Sequence, residues 1–411
     1  MKRHIFPLLT LGTLALATPT AHSDEVLDQA RAITRKYLLV DTHIDVPYRL
    51  HEHWEDVTHA TAQGEFDLPR AQAGGLNVPF MSIYTPPESE LDGSAYRLAN
   101  ILIDQVEAIV ARAPDSFAIA TSPDEVETQF QKGRIALALG MENGAPIAGD
   151  LDKLRHFHGR GVRYVTLAHG LANHISDSSY DDIRLWQGLS PFGVEVVKTM
   201  NELGMMVDIS HLSDAAAAQV IRISAVPVIA SHSSMRAFTP DFERNLSDEL
   251  LKALAGRGGV VMINFGSGFI TKAANAYSSA YKKSAGAYAE RYQVSGDSPQ
   301  MKAFEADYRR RQPYPFATVG EVAEHIDHAV KVAGIDHVGL GSDFDGVGNS
   351  LPVGLKDVSA YPNLVAELLR RGYGEEDLRK LLGANLMRVW RAVAAGSSAG
   401  TRTGTALSPA G

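Results

Sequence analysis

The segment YLLVDTHIDVP, residues 37–47, decides the fold because a short apolar run passes directly into a cluster of polar residues. Continuous apolar runs of this length are typical of parallel strands that are buried on both faces. The same arrangement recurs, and seven further runs lie at residues 78–84, 135–139, 162–167, 205–209, 226–230, 259–265 and 337–341. The sequence therefore predicts eight buried strands.

Amphipathic segments separate several of these runs, among them residues 96–111, 194–203 and 322–332. Eight strands that alternate with helices predict an α/β fold, the (β/α)8 or TIM barrel. An open, doubly wound sheet is the alternative, because the number of strands alone does not show that the sheet closes. We expect one barrel domain over residues 24–393 of the 411-residue chain.

Polar residues that can bind metal ions follow most of these runs. They lie in the segments DTHIDVP, GMENG, TLAHG, DISHLSD, ASHSSMR and GLGSDFDG. In barrel enzymes, the loops at the carboxyl ends of the strands build the active site. One isolated histidine would more simply be structural, but four stand in equivalent positions, namely His43, His169, His211 and His232. This pattern indicates a functional site at one end of the barrel.

The chain contains no cysteine, so a metal ion must be bound by nitrogen and oxygen ligands. His43 and Asp45 are two residues apart, which places both side chains on one face of a strand. Glu142 emerges from a buried run and needs a partner such as a metal or an arginine. His211 and His232 end consecutive strands and should be neighbours. These residues suffice for two ions if one carboxylate bridges them.

Imidazole and carboxylate ligands suit zinc, although ligand type alone leaves manganese and cobalt open. Two adjacent ions lower the pKa of a bound water from ~15.7 toward ~7, which makes hydrolysis the simplest chemistry for such a site. A structural metal is the alternative, but ligands at the ends of barrel strands favour a catalytic centre with an open position. The sequence offers no clear nucleophile elbow for a serine mechanism.

The composition excludes several classes of protein. A hydrophobic share of 45% excludes wholesale disorder. The formal net charge of −9 argues against non-specific binding to nucleic acid, which needs a basic surface. The absence of cysteine excludes disulfides, iron–sulfur clusters and a thiol nucleophile. Residues 394–411 are small and polar without periodicity, and we expect a disordered tail there.

The N-terminus has the pattern of a secretory signal peptide over residues 1–23. Lys2 and Arg3 precede an apolar stretch at residues 5–17, and small residues allow cleavage after Ser23. A membrane anchor is the alternative, but this stretch is shorter than the ~20 residues that span a bilayer. We therefore expect an exported protein, periplasmic or secreted, without a stable membrane anchor.

Taken together, these segments resemble the renal or membrane dipeptidases, metallopeptidases of family M19. The resemblance rests on DTHIDVP, MENG, the histidines that end the fifth and sixth runs, and GLGSDFDGV. It extends to SDSS at 176–179, GLSPFG at 188–193 and GANLMRVW at 383–390, and it covers nearly all of residues 24–390. No single motif is decisive, but their joint order and spacing are specific.

The resemblance implies a (β/α)8 barrel with two zinc ions per subunit. His43 and Asp45 would bind one ion, His211 and His232 the other, and Glu142 would bridge them. A hydroxide between the ions would attack the peptide carbonyl of a dipeptide. The family therefore suggests a metallo-dipeptidase of the membrane dipeptidase type. Homodimers are common in the family, so the oligomeric state stays open, with a homodimer among the alternatives.

The resemblance also assigns roles to residues that bind no metal. His169 would contact the substrate and stabilise the oxyanion. Asp343 would shuttle the proton, with Asp345 as the alternative shuttle and a purely orienting role for Asp343 as a further alternative. Arg244 would bind the C-terminal carboxylate of the substrate. The segment that leads to it is one residue longer than we expect, so Arg236 competes for this role.

Two other functions fit parts of the pattern. An amidohydrolase-like lactonase or phosphotriesterase shares the barrel and two metals, but usually opens with H-x-H and bridges the metals with a lysine. A periplasmic metal- or peptide-binding protein without turnover would not need both His169 and Asp343. The tyrosine-rich stretch within residues 267–317 would cap the pocket, form a dimer surface or be an amphipathic surface helix.

Overall fold

The computed structural model describes residues 19–296 and 298–403. Most of the predicted signal peptide, residues 1–18, lies outside the described residues. The first helix begins at Pro19, so the predicted cleavage point after Ser23 falls within it. In the described ranges, no helix is both long and apolar enough to span a membrane.

Nine parallel strands within the described ranges form the centre of the molecule. They are β1 Val40–Ile44, β2 Val78–Ser82, β3 Phe117–Ile119, β4 Ile135–Glu142, β5 Val162–Thr166, β6 Met206–Asp208, β7 Ile229–Ala230, β8 Val260–Ile263 and β9 Val338–Leu340. The sheet order is β1-β2-β4-β5-β6-β7-β8-β9, so the eight predicted runs are neighbours in chain order. The sequence pattern missed β3, a three-residue strand that pairs only with the start of β4.

The last strand returns to the first and closes the barrel. Ile44 forms a parallel bridge with Phe344, just beyond β9. The backbone N–H of Asp45 donates to the carbonyl of Phe344 at 2.9 Å, and that of Asp343 donates to the carbonyl of His43 at 3.1 Å. A doubly wound sheet would reverse its strand order and keep two edges. The fold is therefore the predicted (β/α)8 barrel.

Seventeen α-helices among the described residues connect and surround the strands. They are α1 Pro19–Lys36, α2 Val46–Glu52, α3 Leu68–Gly74, α4 Glu88–Leu91, α5 Ala95–Arg112, α6 Pro123–Gln131, α7 Leu151–Gly159, α8 Pro191–Leu203, α9 Asp214–Ile223, α10 Asp248–Gly256, α11 Ser267–Ile270, α12 Lys272–Tyr292, α13 Pro299–Arg311, α14 Val319–Ala333, α15 Tyr361–Arg370, α16 Glu375–Arg379 and α17 Asn385–Thr403. Side chains cap many N-termini, and Thr318 and Glu321 form a capping box at α14.

The barrel interior changes from apolar to polar along its axis. At the N-terminal end, Phe80 and Met262 belong to a buried cluster that Trp390 of α17 closes from below. Nearer the C-terminal end the interior holds polar groups, where Thr166 donates to Asp208 at 2.5 Å. The polar layer supports the loops above it, while the apolar layer supplies the hydrophobic stabilisation.

The structure differs from the sequence prediction at the C-terminus. Helix α17 continues through residue 394 to Thr403, so the irregular tail does not begin at 394. The backbone of Ala394 and the side chain of Ser397 lie against Gly204, which ends α8. This tertiary contact favours the helix over the irregular conformation that composition alone suggested. Residues 404–411 lie outside the described part of the chain.

Candidate metal centre

Glu142, the last residue of β4, lies at the centre of a buried cluster at the C-terminal end of the barrel. Its Oε2 atom lies 3.4 Å from His43 Nε2. Its Oε1 atom lies 3.0 Å from His211 Nε2 and 3.2 Å from His232 Nε2. The two oxygens of one carboxylate therefore face two different groups of imidazoles, which is the arrangement that a bridging ligand requires.

His43 and Asp45 lie together beside Glu142, with His43 Nε2 3.3 Å from Asp45 Oδ2. The pairing register of β1 and β2 shifts between Asp41 and Ile44. Such an irregularity re-aims side chains at the end of a strand, and here it turns His43 into the barrel mouth. Asp45 follows β1 at the start of α2, where its side chain caps no backbone group and stays directed at the cluster.

His211 and His232 follow β6 and β7, and their Nε2 atoms are only 2.9 Å apart. Burial and the nearby guanidinium of Arg244 lower the pKa of His211 well below its usual range. Burial, with His43 and Arg244 nearby, does the same to the pKa of His232. Both imidazoles are therefore neutral at pH 7, which is the form that binds a metal ion.

The cluster contains the atoms that a divalent cation needs. His43 Nε2 and Asp45 Oδ1 are buried and have no hydrogen-bond partner in the described parts of the chain. Buried polar atoms are normally satisfied, so unpaired ligand atoms that converge on one space indicate an absent partner. Among the described residues, three groups of side chains have their potential ligand atoms within 4.8 Å of one another. Each group includes His43 or Glu142. Nitrogen and carboxylate donors of this kind fit zinc.

The interior of the barrel orients two of the imidazoles that face Glu142, those of His43 and His232. The Tyr164 hydroxyl donates to the carbonyl of Thr42 at 2.9 Å, so it accepts from His43 Nδ1 at 2.8 Å. A Cβ at Gly140 would lie 2.0 Å from the Tyr164 ring, so the glycine provides the space for this ring. With the Nδ1 proton held by Tyr164, Nε2 is the His43 atom that would bind a metal ion. The neighbouring Tyr164, Glu142 and Asp45 raise the pKa of His43 despite its burial, so a cation bound here would take the place of a proton on Nε2.

His232 is oriented by a carboxylate that acts through a hydroxyl group. Ser231 Oγ donates to Asp208 Oδ2 at 2.6 Å and accepts from His232 Nδ1 at 2.7 Å. Asp208 is held in turn by Ser210, whose backbone N–H donates to its other oxygen at 3.0 Å. The chain fixes the tautomer of His232, so its Nε2 also has a free lone pair.

His169 and Asp343 complete the wall beside the ligands. His169 Nε2 lies 3.6 Å from Glu142 Oε1, and burial lowers the pKa of His169. Asn264 Nδ2 donates to Asp343 Oδ2 at 2.6 Å. Burial, assisted by the carboxylates of Asp45 and Glu142, raises the pKa of Asp343 to about 7. Asp343 is thus an acid–base group poised near neutral pH.

The carboxylate of Asp345 is engaged by other residues. Its carboxylate accepts from Arg49 Nε at 3.1 Å and from the backbone N–H of Glu65 at 2.7 Å. Its side chain is fully buried. A Cβ at Gly346 would lie 2.2 Å from Asp343 Oδ1 and 2.2 Å from Asp45 Oδ2, so this turn needs glycine to bring those carboxylates close. The geometry favours Asp343 over Asp345 as the proton-transfer group.

The two candidate arginines have different environments. Both terminal nitrogens of Arg236 bind the carboxylate of Asp214, at 2.7 and 2.6 Å. Arg244 is buried beside the cluster, where it donates to Ser233 Oγ at 2.8 Å and to the carbonyl of His232 at 2.9 Å. Arg244 Nε has no hydrogen-bond partner among the described residues. Arg244 therefore retains a donor for a ligand, while Arg236 is occupied.

Several residues of the centre have left-handed backbone conformations. For a residue other than glycine, this conformation costs about 1 kcal/mol or more. His211 has φ 69° and Asp343 has φ 66°. Strain of this kind persists where the surrounding structure fixes a side chain in one direction. Both residues stand three positions after the end of a strand, so the bend turns each side chain back over the barrel mouth.

A cavity of about 920 Å³ opens above the cluster. Its floor includes Asp45, Glu142, His169, His211 and Asp343. Tyr48, Tyr84, Tyr180, Phe242 and Phe269 line its sides, and residues of α12 and α13 line its outer part. An apolar cleft with a few converging polar groups is the usual form of a small-molecule site.

Comparison with known proteins identifies the family. A family model described as membrane dipeptidase, peptidase family M19, matches residues 27–402. The chain belongs to this family. Dipeptidase 3 of Rattus norvegicus is 33% identical over 378 residues, which cover 89% of this chain and 67% of the rat protein.

Solved structures of dipeptidases and metallopeptidases have the same fold. The probable dipeptidase PvdM from Pseudomonas aeruginosa superposes with a TM-score of 0.79 at 28% identity, and the match covers 91% of this chain and 99% of PvdM. A metallopeptidase from Rhodobacter sphaeroides, liganded with a phosphinate mimic of the dipeptide L-Ala-D-Ala, has a TM-score of 0.71 at 26% identity, covering 87% and 99%. This member of family M19 thus shares the barrel fold of those proteins.

Sequence patterns missed the residues that support the cluster around Glu142. Asn264 lies inside the seventh apolar run, and a lone amide in such a run was the available signal. Asp208 likewise interrupts the fifth run. Tyr164 carried no signal, because an aromatic residue in a buried strand is ordinary. Its role depends on the cross-barrel contact with His43, which only the closed fold creates.

Proposed function

We propose that this M19 protein is a zinc-dependent dipeptidase that binds two ions per chain. The observation that carries the proposal is the carboxylate of Glu142, whose two oxygens face different imidazoles. His43 and Asp45 would hold one ion with Glu142, and His211 and His232 would hold the other. When bound, the ions would supply Lewis acidity and a water molecule of lowered pKa.

Arg244 would bind the C-terminal carboxylate of the substrate. Its free Nε–H and fixed planar head suit a carboxylate oxygen, while contacts to Ser233 and His232 hold the head in place. The guanidinium carbon lies 5.2 Å from the centroid of Phe269, which excludes water from one side. Such an anchor would limit substrates to a short reach beyond the scissile bond.

His169 would stabilise the negative charge that develops on the carbonyl oxygen. Its neutral imidazole can donate one N–H, and its ring lies 4.2 Å from that of His211, centroid to centroid. The imidazole is about one-fifth exposed, and this partial burial limits competition from water, which strengthens a hydrogen bond to an oxyanion. The Tyr84 ring, 4.9 Å from His169, fixes the orientation of the imidazole from the other side.

Asp343 would take a proton at Oδ1 and deliver it to the leaving amine. Asn264 occupies Oδ2, so Oδ1 faces the cluster beside Asp45. A carboxyl with a pKa near 7 accepts and releases a proton with little cost at neutral pH. A group that first accepts a proton as a base and then donates it as an acid must lie close to both the nucleophile and the leaving amine. Asp343 would fill both roles.

Export, with a signal peptide removed after Ser23, belongs to the same proposal, as does the absence of a stable membrane anchor. A homodimer likewise stays a prediction. N-terminal sequencing of protein recovered outside the cytoplasm would test export and cleavage. Light scattering would test whether the protein is a homodimer. A mature chain that still begins at Met1 would contradict the expected processing.

The enzymatic test uses full-length protein with zinc and with a chelator. L-Ala-L-Ala, L-Ala-D-Ala, L-Ala-L-Ala-L-Ala and a simple lactone are compared by the release of amino acid or by ring opening. We expect zinc-dependent cleavage of at least one dipeptide and none of the tripeptide. Lactone hydrolysis without dipeptide cleavage would favour the lactonase alternative. Binding of dipeptides without turnover by zinc-loaded protein would favour a binding protein.

A further inference from the structure

Helices α12 and α13 form a hairpin that stands outside the barrel. Ala274 is the one residue of α12 that is buried. The hairpin is held together by its own aromatic rings, with Tyr277 5.5 Å and Tyr281 5.3 Å from Tyr308 between centroids. Near its tip, Tyr288 lies 4.5 Å from Phe304. This segment is an attached unit with internal packing rather than part of the barrel core.

One face of this hairpin forms the outer wall of the cavity above the metal centre. Asn275, Ser278 and Lys282 line it at helical spacing, together with Tyr281. Tyr314, which follows α13, lies on the same wall. The cavity of about 920 Å³ lies near the top of the ~300–1,000 Å³ range of pockets for drug-sized ligands. A dipeptide of two small residues leaves most of this space unfilled.

The wall and the floor have opposite chemistry. The floor presents carboxylates and imidazoles, whereas the wall presents phenol rings and two cations, Lys282 and Arg309. Arg309 is paired with Glu305 at 2.9 Å and lies 5.3 Å from the centroid of Tyr314. Lys282 is exposed and forms no ion pair with any other residue in the described ranges. A free ammonium group therefore stands at the edge of an aromatic surface.

We propose that this wall is a subsite for a long substrate side chain with an aromatic stem and an anionic end. The proposal rests on the proposed dipeptidase function, because the peptide bond must lie on the floor. Tyr281 and Tyr314 would pack on the stem, and Lys282 would pair with the terminal anion. Small dipeptides would be cleaved without using the wall.

The charge is tested with two isosteric substrates. Alanine is joined to 4-carboxyphenylalanine or to its neutral amide, 4-carbamoylphenylalanine, at either position, and Ala-Ala serves as the small reference. We expect wild type to prefer the acid, and Lys282→Glu to lower the acid/amide ratio of kcat/KM about 3- to 10-fold. Lys283→Glu is the matched control, since Lys283 is exposed beside it and does not line the cavity.

An unchanged ratio in Lys282→Glu, or an equal fall in both lysine variants, would overturn the charged end of the subsite. The second outcome would mean that net charge alone attracts the substrate. In both variants we expect Ala-Ala cleavage to stay within about 2-fold of wild type, which also shows that they fold. Failure of wild type to cleave any dipeptide would refute the proposed function instead.

The aromatic stem is tested with Tyr281→Ala, against Tyr288→Ala on the same helix. Both tyrosines pack on Phe304, but Tyr288 does not belong to the cavity wall. We expect Tyr281→Ala to lower kcat/KM for the Ala–carbamoylphenylalanine substrates about 3- to 10-fold, with little change for Ala-Ala. Equal effects of the two variants would overturn the assignment of the stem to this wall.

Discussion

The floor and the outer wall of the cavity are built in different ways. The floor takes side chains from the ends of separate strands, and Glu142 and His232 there are almost fully buried and held by the barrel interior. The wall comes from one hairpin, α12–α13, whose rings pack on one another and whose surface is mostly exposed. The barrel thus fixes the chemistry, and an added unit can change the substrate preference without disturbing it.

Glu142→Ala gives the largest expected effect, because one carboxylate faces both groups of imidazoles. We expect the variant to lose bound zinc and dipeptide cleavage together. Both losses should exceed the ~10–100-fold that typically follows mutation of a residue that only orients a metal ligand. Metal content by mass spectrometry and initial rates are measured on the same sample. Glu324→Ala removes an exposed carboxylate of α14 and serves as the control. Retained zinc in Glu142→Ala would contradict its central position.

Asp343→Asn separates proton transfer from metal binding within the floor. We expect kcat to fall ~10²–10⁴-fold while zinc content stays unchanged. The asparagine side chain has the shape of aspartate but cannot accept and release a proton. Asp345→Asn is the comparison. The carboxylate of Asp345 binds Arg49, so this substitution should lower stability more than it lowers kcat. A variant at Asp343 with normal kcat would remove this residue from the mechanism.

Tyr164→Phe tests whether the barrel interior orients the ligands. Removing the hydroxyl leaves His43 Nδ1 without its acceptor, and we expect zinc affinity at one of the two sites to fall ~10–100-fold. A competition titration with a chromophoric chelator measures this directly. Tyr281→Phe makes the same chemical change on the outer wall and should leave zinc affinity unaltered. Equal affinities in all three proteins would refute the orienting role.

Arg244→Lys tests the residue proposed to bind the C-terminal carboxylate of the substrate. Loss of the planar fork should raise KM for dipeptides by roughly 10-fold with a smaller effect on kcat. Arg236→Lys should leave KM unchanged, because Arg236 is bound to Asp214. The reverse result would assign the carboxylate to Arg236. Initial rates over a range of dipeptide concentrations separate the two constants.

Glu65 gives the smallest effect, at the rim of the floor. Burial and the carboxyl of Asp345 raise the pKa of Glu65 to about 8, despite Arg49. The folded state therefore holds this proton more tightly than the unfolded state. This stabilisation is complete below pH ~4.5 and is lost as pH rises through about 8.

We expect Glu65→Gln to keep the contact with Asp345 without titrating. The free energy of unfolding of Glu65→Gln minus that of wild type should be larger at pH 9 than at pH 5, as measured by urea unfolding of matched samples. Groups that do not interact with Glu65 titrate alike in both proteins and cancel in this difference. A difference that does not change with pH would show that Glu65 is ionised in the folded state throughout this range.

Sequence patterns predicted the barrel and pointed to the candidate ligands because both depend on short-range rules. A buried run fixes a strand, and the residue after it must lie at the barrel mouth, which brought Glu142, His211 and His232 into consideration. The supporting contacts depend on the tertiary fold. Tyr164 reaches His43 across the barrel, and α17 continues past residue 394 because it packs on Gly204.

The outer wall was the hardest part to predict. Tyrosines interleaved with lysines in α12 favoured an amphipathic surface helix over a cap of the pocket or a dimer surface. Tyr281 and Lys282 face the cavity because α11 directs the hairpin over the barrel mouth, and that direction comes from the fold rather than from periodicity. The exposure of α12 is also why its hydrophobic pattern was weak.

Anomalous diffraction from crystals of the zinc-loaded protein, measured on both sides of the zinc absorption edge, would show directly whether this cluster binds two zinc ions. We expect two peaks, ~3.5–4 Å apart, that share Glu142. His43 and Asp45 should flank one of them, and His211 and His232 the other. A single peak, or zinc bound elsewhere with this cluster empty, would contradict the account.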